Sequence, residues 1–148
     1  MSLRCSISDV DLVAEDGLLV ATLEGGFDVD LKLGTRASQA SDVSFVGFSL
    51  VSAALGVPVL AGEHLGVVGS VPSPVRLEPG STAQVHFDVG DQRQVTGPVS
   101  ALEISKADFE SLCASGLLQI VVSIENSADG NRAKPVNSPA FLPSGCPQ

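Results

Sequence analysis

Apolar and polar residues alternate with a period of two along much of this chain. In residues 75–89, VRLEPGSTAQVHFDV, a Pro79-Gly80-Ser81 turn leads into a strict alternation. Val85, Phe87 and Val89 share one face, and Gln84, His86 and Asp88 take the other. Alternation launched from a Pro-Gly turn predicts a half-buried antiparallel strand. Residues 27–33, FDVDLKL, repeat the pattern, with Phe27, Val29, Leu31 and Leu33 inward and Asp28, Asp30 and Lys32 outward. Residues 7–13 and 18–24 read as two more strands. The Gly25-Gly26 pair predicts a two-residue hairpin between 18–24 and 27–33, because glycine tolerates the positive φ of the primed turns. Residues 18–23 are apolar on both faces except Thr22, the pattern of a strand covered on two sides. Ile7 is out of phase with Val10 and Leu12, and a β-bulge there reconciles them.

After a polar link, residues 43–50 predict a strand, and the Gly-punctuated stretch 56–69 predicts short strands around 57–60 and 65–68. Pro72, Pro74 and Pro79 bracket another short segment, 75–77. One helix is predicted over residues 106–115. Ser105 is its N-cap, with Asp108 at the third helical position as a variant of the capping box. Ile104 is placed to staple against Phe109. Phe109, Leu112 and Cys113 share a face at i, i+3, i+4 spacing, and Gly116 stops the helix. The last predicted strand, 117–125, turns Leu118, Ile120, Val122 and Ile124 inward. Beyond it Pro135, Pro139, Pro143 and Pro147 recur every four residues, which favours an extended run. Phe141 and Leu142 are its large apolar anchors, free to dock on the body or on a neighbouring subunit, or to stay unattached. The expected organisation is one mainly β domain over 1–125 and a Pro-rich extended tail over 126–148. The domain is an antiparallel β-sandwich of 7–9 short strands, with the helix at 106–115 before the last strand.

A chain of 148 residues with 44% hydrophobic content can bury a core of its own. It has six Phe but no Trp or Tyr, so the stacking platforms of many sugar and peptide binders are missing, and Val, Leu, Ile and Ala must fill the interior. The net charge of −9, from eight Lys and Arg against seventeen Asp and Glu, argues against nucleic acid and anionic membrane as partners. No run approaches the ~20 apolar residues of a membrane-spanning helix. The opening MSLRCSISDV does not read as a signal peptide, which leaves cytoplasmic and mature secreted or surface locations both open. The three cysteines lack metal-ligand spacing. Reduced thiols are the default, with a Cys5–Cys146 bridge tying the two ends as the alternative.

Few residues carry chemistry. His86 lies on the polar stripe of its strand and His64 in a Gly-flanked turn, so both read as solvated surface. Neither a G-x-S-x-G elbow nor an H-E-x-x-H helix is present. Glycines 62, 66 and 69 match no phosphate-loop spacing and read as loop glycines. Asp9, Asp11, Asp16, Asp28 and Asp30 fall on adjacent predicted strands and their turn. Oxygen-rich groups of this kind can hold calcium, and Asp28, Asp30 and Asp129 are the candidates. Asp28 and Asp30 serve equally well as edge-protecting charges. No cofactor is otherwise expected.

Residues 77–89, LEPGSTAQVHFDV, resemble the strand entry "L-x-P-G-x-[ST]-x-x-V-x-F" common in bacterial immunoglobulin-like and fibronectin-III-like domains. The resemblance implies an immunoglobulin-like sandwich in which this strand belongs to the core. More loosely, residues 56–68, GVPVLAGEHLGVV, with that strand resemble the LEA-2 (WHy) sandwich, although no Asn-Pro pair follows the first strands. The expected function is a non-enzymatic module for binding, adhesion or assembly within a larger structure, with a protein partner or self-association favoured over a small molecule. The alternative is a stand-alone protective or small-ligand-binding sandwich of the LEA-2 type. An enzyme comes third, because no motif supplies a nucleophile–base pair or a metal set.

Overall fold

The computed structural model describes residues 3–37, 39–61, 65–70, 74–90, 100–127 and 132–146. Among them, ten strands and one helix follow in the order β1 (Leu3–Glu15), β2 (Ala21–Leu33), β3 (Ser41–Ser52), β4 (Pro58–Ala61), β5 (Val67–Gly69), β6 (Val75–Leu77), β7 (Thr82–Val89), β8 (Leu102–Ile104), α1 (Lys106–Ala114), β9 (Leu118–Asn126) and β10 (Lys134–Asn137). They form two antiparallel sheets. One has the order β1-β2-β7-β5, with β8 pairing the start of β2. The other has the order β10-β9-β3-β4, with β6 pairing the start of β3. The chain is a mainly β sandwich, as the alternation predicts. Two strands of 13 residues and a total of ten replace the expected 7–9 short ones. The helix precedes β9 and is therefore not followed by the last strand alone.

The inward residues of both sheets fill one core. Phe27 and Phe87 from the first sheet meet Phe45 and Phe48 from the second, with ring centroids 5.0–6.3 Å apart. Phe45 and Phe48 are three residues apart and would point to opposite faces of a regular strand. The register slips between Phe45 and Gly47, so Val46 bulges out and both rings face the core. On β9, Leu118, Ile120, Val122 and Ile124 are buried as predicted.

The Gly25-Gly26 hairpin does not form: β2 runs straight through both glycines, paired to β1 on one side and β7 on the other. The glycines answer a different need. β1 carries the predicted bulge, its register slipping between Ser8 and Asp11 with Asp9 at φ 52°. This presses the Asp11 carbonyl against β2, and a Cβ on Gly25 (φ +132°) would lie 1.8 Å from that oxygen. A Cβ on Gly26 would lie 2.6 Å from the Phe87 carbonyl oxygen. Glycine inside a strand marks close backbone approach as well as turns, and here the approach decides. The true turn lies upstream, so Leu18 and Leu19, expected in a doubly covered strand, are 100% and 88% exposed.

The helix forms as its cap signals dictate. The Ser105 hydroxyl accepts from the Asp108 N–H at 3.0 Å, Ile104, Phe109 and Leu112 are buried, and Gly116 follows at φ +70°. The prolines after Asn126 exclude a helix but not pairing. β10 lies along β9, and the buried Ser138 closes the ladder by donating its backbone N–H to the Ile120 carbonyl at 2.8 Å. The Ser138 hydroxyl also accepts from the Ile120 N–H. Phe141 then bridges to Leu118. Ser144 crosses to the other sheet, donating to the Leu12 carbonyl at 2.9 Å and accepting from the Ala14 N–H at 2.8 Å. Cys146 ends the strap in a disulfide to Cys113. Both cysteine readings are corrected by this bond. Cys5, at the opposite end of β1, stays free, and Cys113 on the helix is the partner of Cys146.

Candidate functional site

The outer face of the first sheet gathers most of the chemistry-bearing side chains. The β2–β7 register sets Asp28 opposite His86 and Asp30 opposite Gln84. His86 Nδ1 lies 2.7 Å from Asp28 Oδ1 and Nε2 lies 2.9 Å from Asp88 Oδ1, so the ring, when doubly protonated, donates to two carboxylates. The hydrogen bond to Asp28 foremost, reinforced by Asp88, raises the His86 pKa, while partial desolvation works against it. Asp30 accepts from Ser8 Oγ at 2.9 Å and from Gln84 Nε2 at 2.8 Å. His86, read from the sequence as a solvated residue, is thus the centre of a cross-strand charge group.

Beside this group the β1 bulge leaves an open depression of about 680 Å³, lined by Asp9, Asp11, Glu24, Asp28, His86 and Asp88. Sequence reasoning placed Asp9, Asp11 and Asp28 together, and the structure brings those three into one hollow. Glu24, His86 and Asp88 were missed: the expected turn at Gly25 ended the strand at Glu24, and no local sequence pattern sets β7 beside β2. Asp16 is elsewhere, bound to Lys106, and Asp30 lies further along the sheet. Asp129 and His64 lie outside the described residues. Among the described residues, no three His, Cys, Asp or Glu side chains converge to hold a metal ion. Gly66 accepts from the Gly90 N–H at 3.0 Å and Gly69 is part of β5, so both serve sheet pairing. Cys5 is half-buried, and desolvation pushes its thiol pKa up, away from the reactive thiolate.

A second feature is apolar and lies at one end of the sandwich. β8 ends at Ile104 opposite Ala21, so α1 starts beside the β1–β2 link, where Lys106 binds the Asp16 carboxylate and, at 2.6 Å, the Gly17 carbonyl. The helix crosses to the other sheet and delivers Leu117, whose carbonyl accepts from Ala53 N–H at 2.9 Å beside the β3–β4 link. The tail strap passes the same end, through Phe141 at Leu118 and Ser144 at Val13. Large apolar side chains stand exposed on each of these segments: Leu18, Leu19 and Val20, then Leu55 and Val57, then Leu117, and Leu142 in the strap. The remaining large exposed apolar residue among the described ones is Val46, on the β3 bulge.

Compared with protein-family models the sequence matches none, and a comparison with curated proteins found no match.

Proposed function

We propose that this chain is a non-enzymatic β-sandwich module that works by binding, in adhesion or in assembly of a larger structure, and that it docks protein on its apolar end. One observation carries the reading: seven exposed Leu and Val side chains on four separate segments collect at a single end. Scattered exposed leucines are ordinary, but a set of them drawn from segments far apart in sequence marks an interaction surface. In this reading His86 is a cross-strand pairing residue and not a general base, since both ring nitrogens face carboxylates. The kinship suggested by residues 77–89, with immunoglobulin-like and fibronectin-III-like domains, is part of the proposal at the level of fold and carries no partner with it.

The test is the fluorescence of an apolar dye, anilinonaphthalene sulfonate, on the folded chain at a dilution where sedimentation shows it monomeric. The wild type is expected to bind it, and the variant Leu18→Asn/Leu19→Asn/Leu55→Asn to lose most of the signal at an unchanged Tm. A variant that binds dye as well as the wild type, or a wild type that binds none, contradicts the reading.

A further inference from the structure

Resting on that reading, we propose that the occupant of the apolar end is a second copy of this chain, docked end to end about a two-fold axis. The area fits. With Leu18, Leu19, Leu55 and Leu142 between 68% and 100% exposed, and Val20, Val57 and Leu117 about half exposed, the end offers on the order of 800 Å² of apolar surface, roughly what one partner contributes to a stable interface.

Symmetry and charge point the same way. A two-fold interface sets a patch against itself, so it must be self-complementary, which an apolar patch is and a single-sign charged patch is not. At a net charge of −9, two copies repel over most of their surface. The hollow around His86 opens on a sheet face and reaches Val13 and Glu24, where the strap crosses, so an end-to-end two-fold arrangement is the one that turns the two acidic faces outward from the contact. At the end itself Lys106 binds Asp16, while Glu15 at the close of β1 and Asp108 and Glu110 on α1 add to the repulsion that salt must screen. A basic partner would instead be drawn to the acidic face.

Charge also supplies the discriminating signature. Association of like-charged copies strengthens as salt screens their repulsion, whereas association with a basic partner weakens. The experiment is analytical ultracentrifugation of the full chain from micromolar to millimolar concentration, at low and high sodium chloride, for the wild type and for Leu18→Asn/Leu19→Asn. Both leucines lie on an exposed link, so the variant keeps its fold, which the Tm verifies. The expected result is a monomer–dimer equilibrium that tightens with salt, with a Kd raised at least tenfold in the variant.

A wild type that stays monomeric at millimolar concentration overturns the second copy as occupant. If such a monomer floats with phosphatidylcholine vesicles, the occupant is lipid instead. A dimer that the variant leaves intact overturns it as well, by placing the interface on another face. The dye measurement separates the two levels: a monomeric wild type whose dye binding is lost in the leucine variants keeps the docking reading and loses only the identity of the partner.

Discussion

Cys113, in the last turn of α1, is bonded to Cys146, 33 residues further along the chain. The bond closes a strap that has already paired with both sheets, at Phe141 with Leu118 and at Ser144 with Val13. It therefore locks the proline-rich tail across the same end that carries the exposed leucines. Cross-linking a loop of this length removes denatured-state entropy worth about 2–4 kcal/mol. The Cys146→Ser variant is expected to lose stability of that size in guanidinium unfolding. Thiol titration of the unreduced wild type in denaturant should find one thiol, Cys5. Finding three in protein prepared under oxidising conditions contradicts the bond.

Much of the fold was legible because burial imposes a period. Residues 75–77 form a strand with the predicted limits, the helix ends one residue short of its predicted end, and the bulge inferred from the phase of Ile7 is present. What escaped depends on contacts distant in sequence. The pair Gly25-Gly26 reads alike as a tight turn or as room for a neighbouring backbone, and only the Asp11 carbonyl decides between them. The meeting of His86 with Asp28 depends on β7 lying beside β2, an order of strands that no local pattern specifies. Prolines at 135, 139 and 143 forbid a central strand but leave an edge strand open, so a paired tail and a loose one look identical in sequence. The apolar end was illegible for a related reason: Leu18 and Leu19 carry a strand's composition and sit in a turn.

The two uses of glycine make a contrast that substitution resolves. Gly25→Ala places a Cβ 1.8 Å from the Asp11 carbonyl at φ +132°, so β1 must move and the loss should reach roughly 3 kcal/mol or more. Gly56→Ala, at φ +69° with nothing within 4 Å of the new Cβ, should cost only about 1 kcal/mol of backbone strain. Equal Tm losses in the two variants would contradict this account of β2.

His86 makes stability depend on pH with a defined sign. Its pKa is raised in the folded state, so folding favours the imidazolium. That stabilisation is present in full below the unfolded value of about 6.5 and is lost as pH rises through the higher folded value. Asp28 and Asp88 hold the ring directly, and Asp9, Asp11 and Glu24 face the same hollow. Because the ring is half exposed, the effect is held to about 1 kcal/mol at most, or roughly 2–4 °C in Tm. The Tm advantage of the wild type over His86→Gln should therefore shrink between pH 6 and pH 9. An advantage that grows over that range contradicts the assignment.

Packing separates the apolar residues that hold the fold from those that serve the proposed surface. Phe87 touches three other rings, and Phe87→Ala should cost about 3–5 kcal/mol. Leu18→Asn, on a fully exposed side chain, should change stability by no more than about 0.5 kcal/mol. Denaturant midpoints of the two variants check the distinction, and a Leu18→Asn loss comparable with that of Phe87→Ala would show Leu18 to be part of the core.

The central claim is that the chain works through the end formed by the β1–β2, β3–β4 and α1–β9 links and the strap. Methyl NMR spectra of the wild type, recorded from dilute to concentrated solution, test it residue by residue. The account predicts that shifts and line broadening centre on Leu18, Leu19, Leu55, Leu117 and Leu142, while the methyls of Val85 and Val29, beneath the acidic sheet face, stay unchanged. Changes centred on the β1 edge or on that sheet face, with the leucines of the apolar end unmoved, would contradict it.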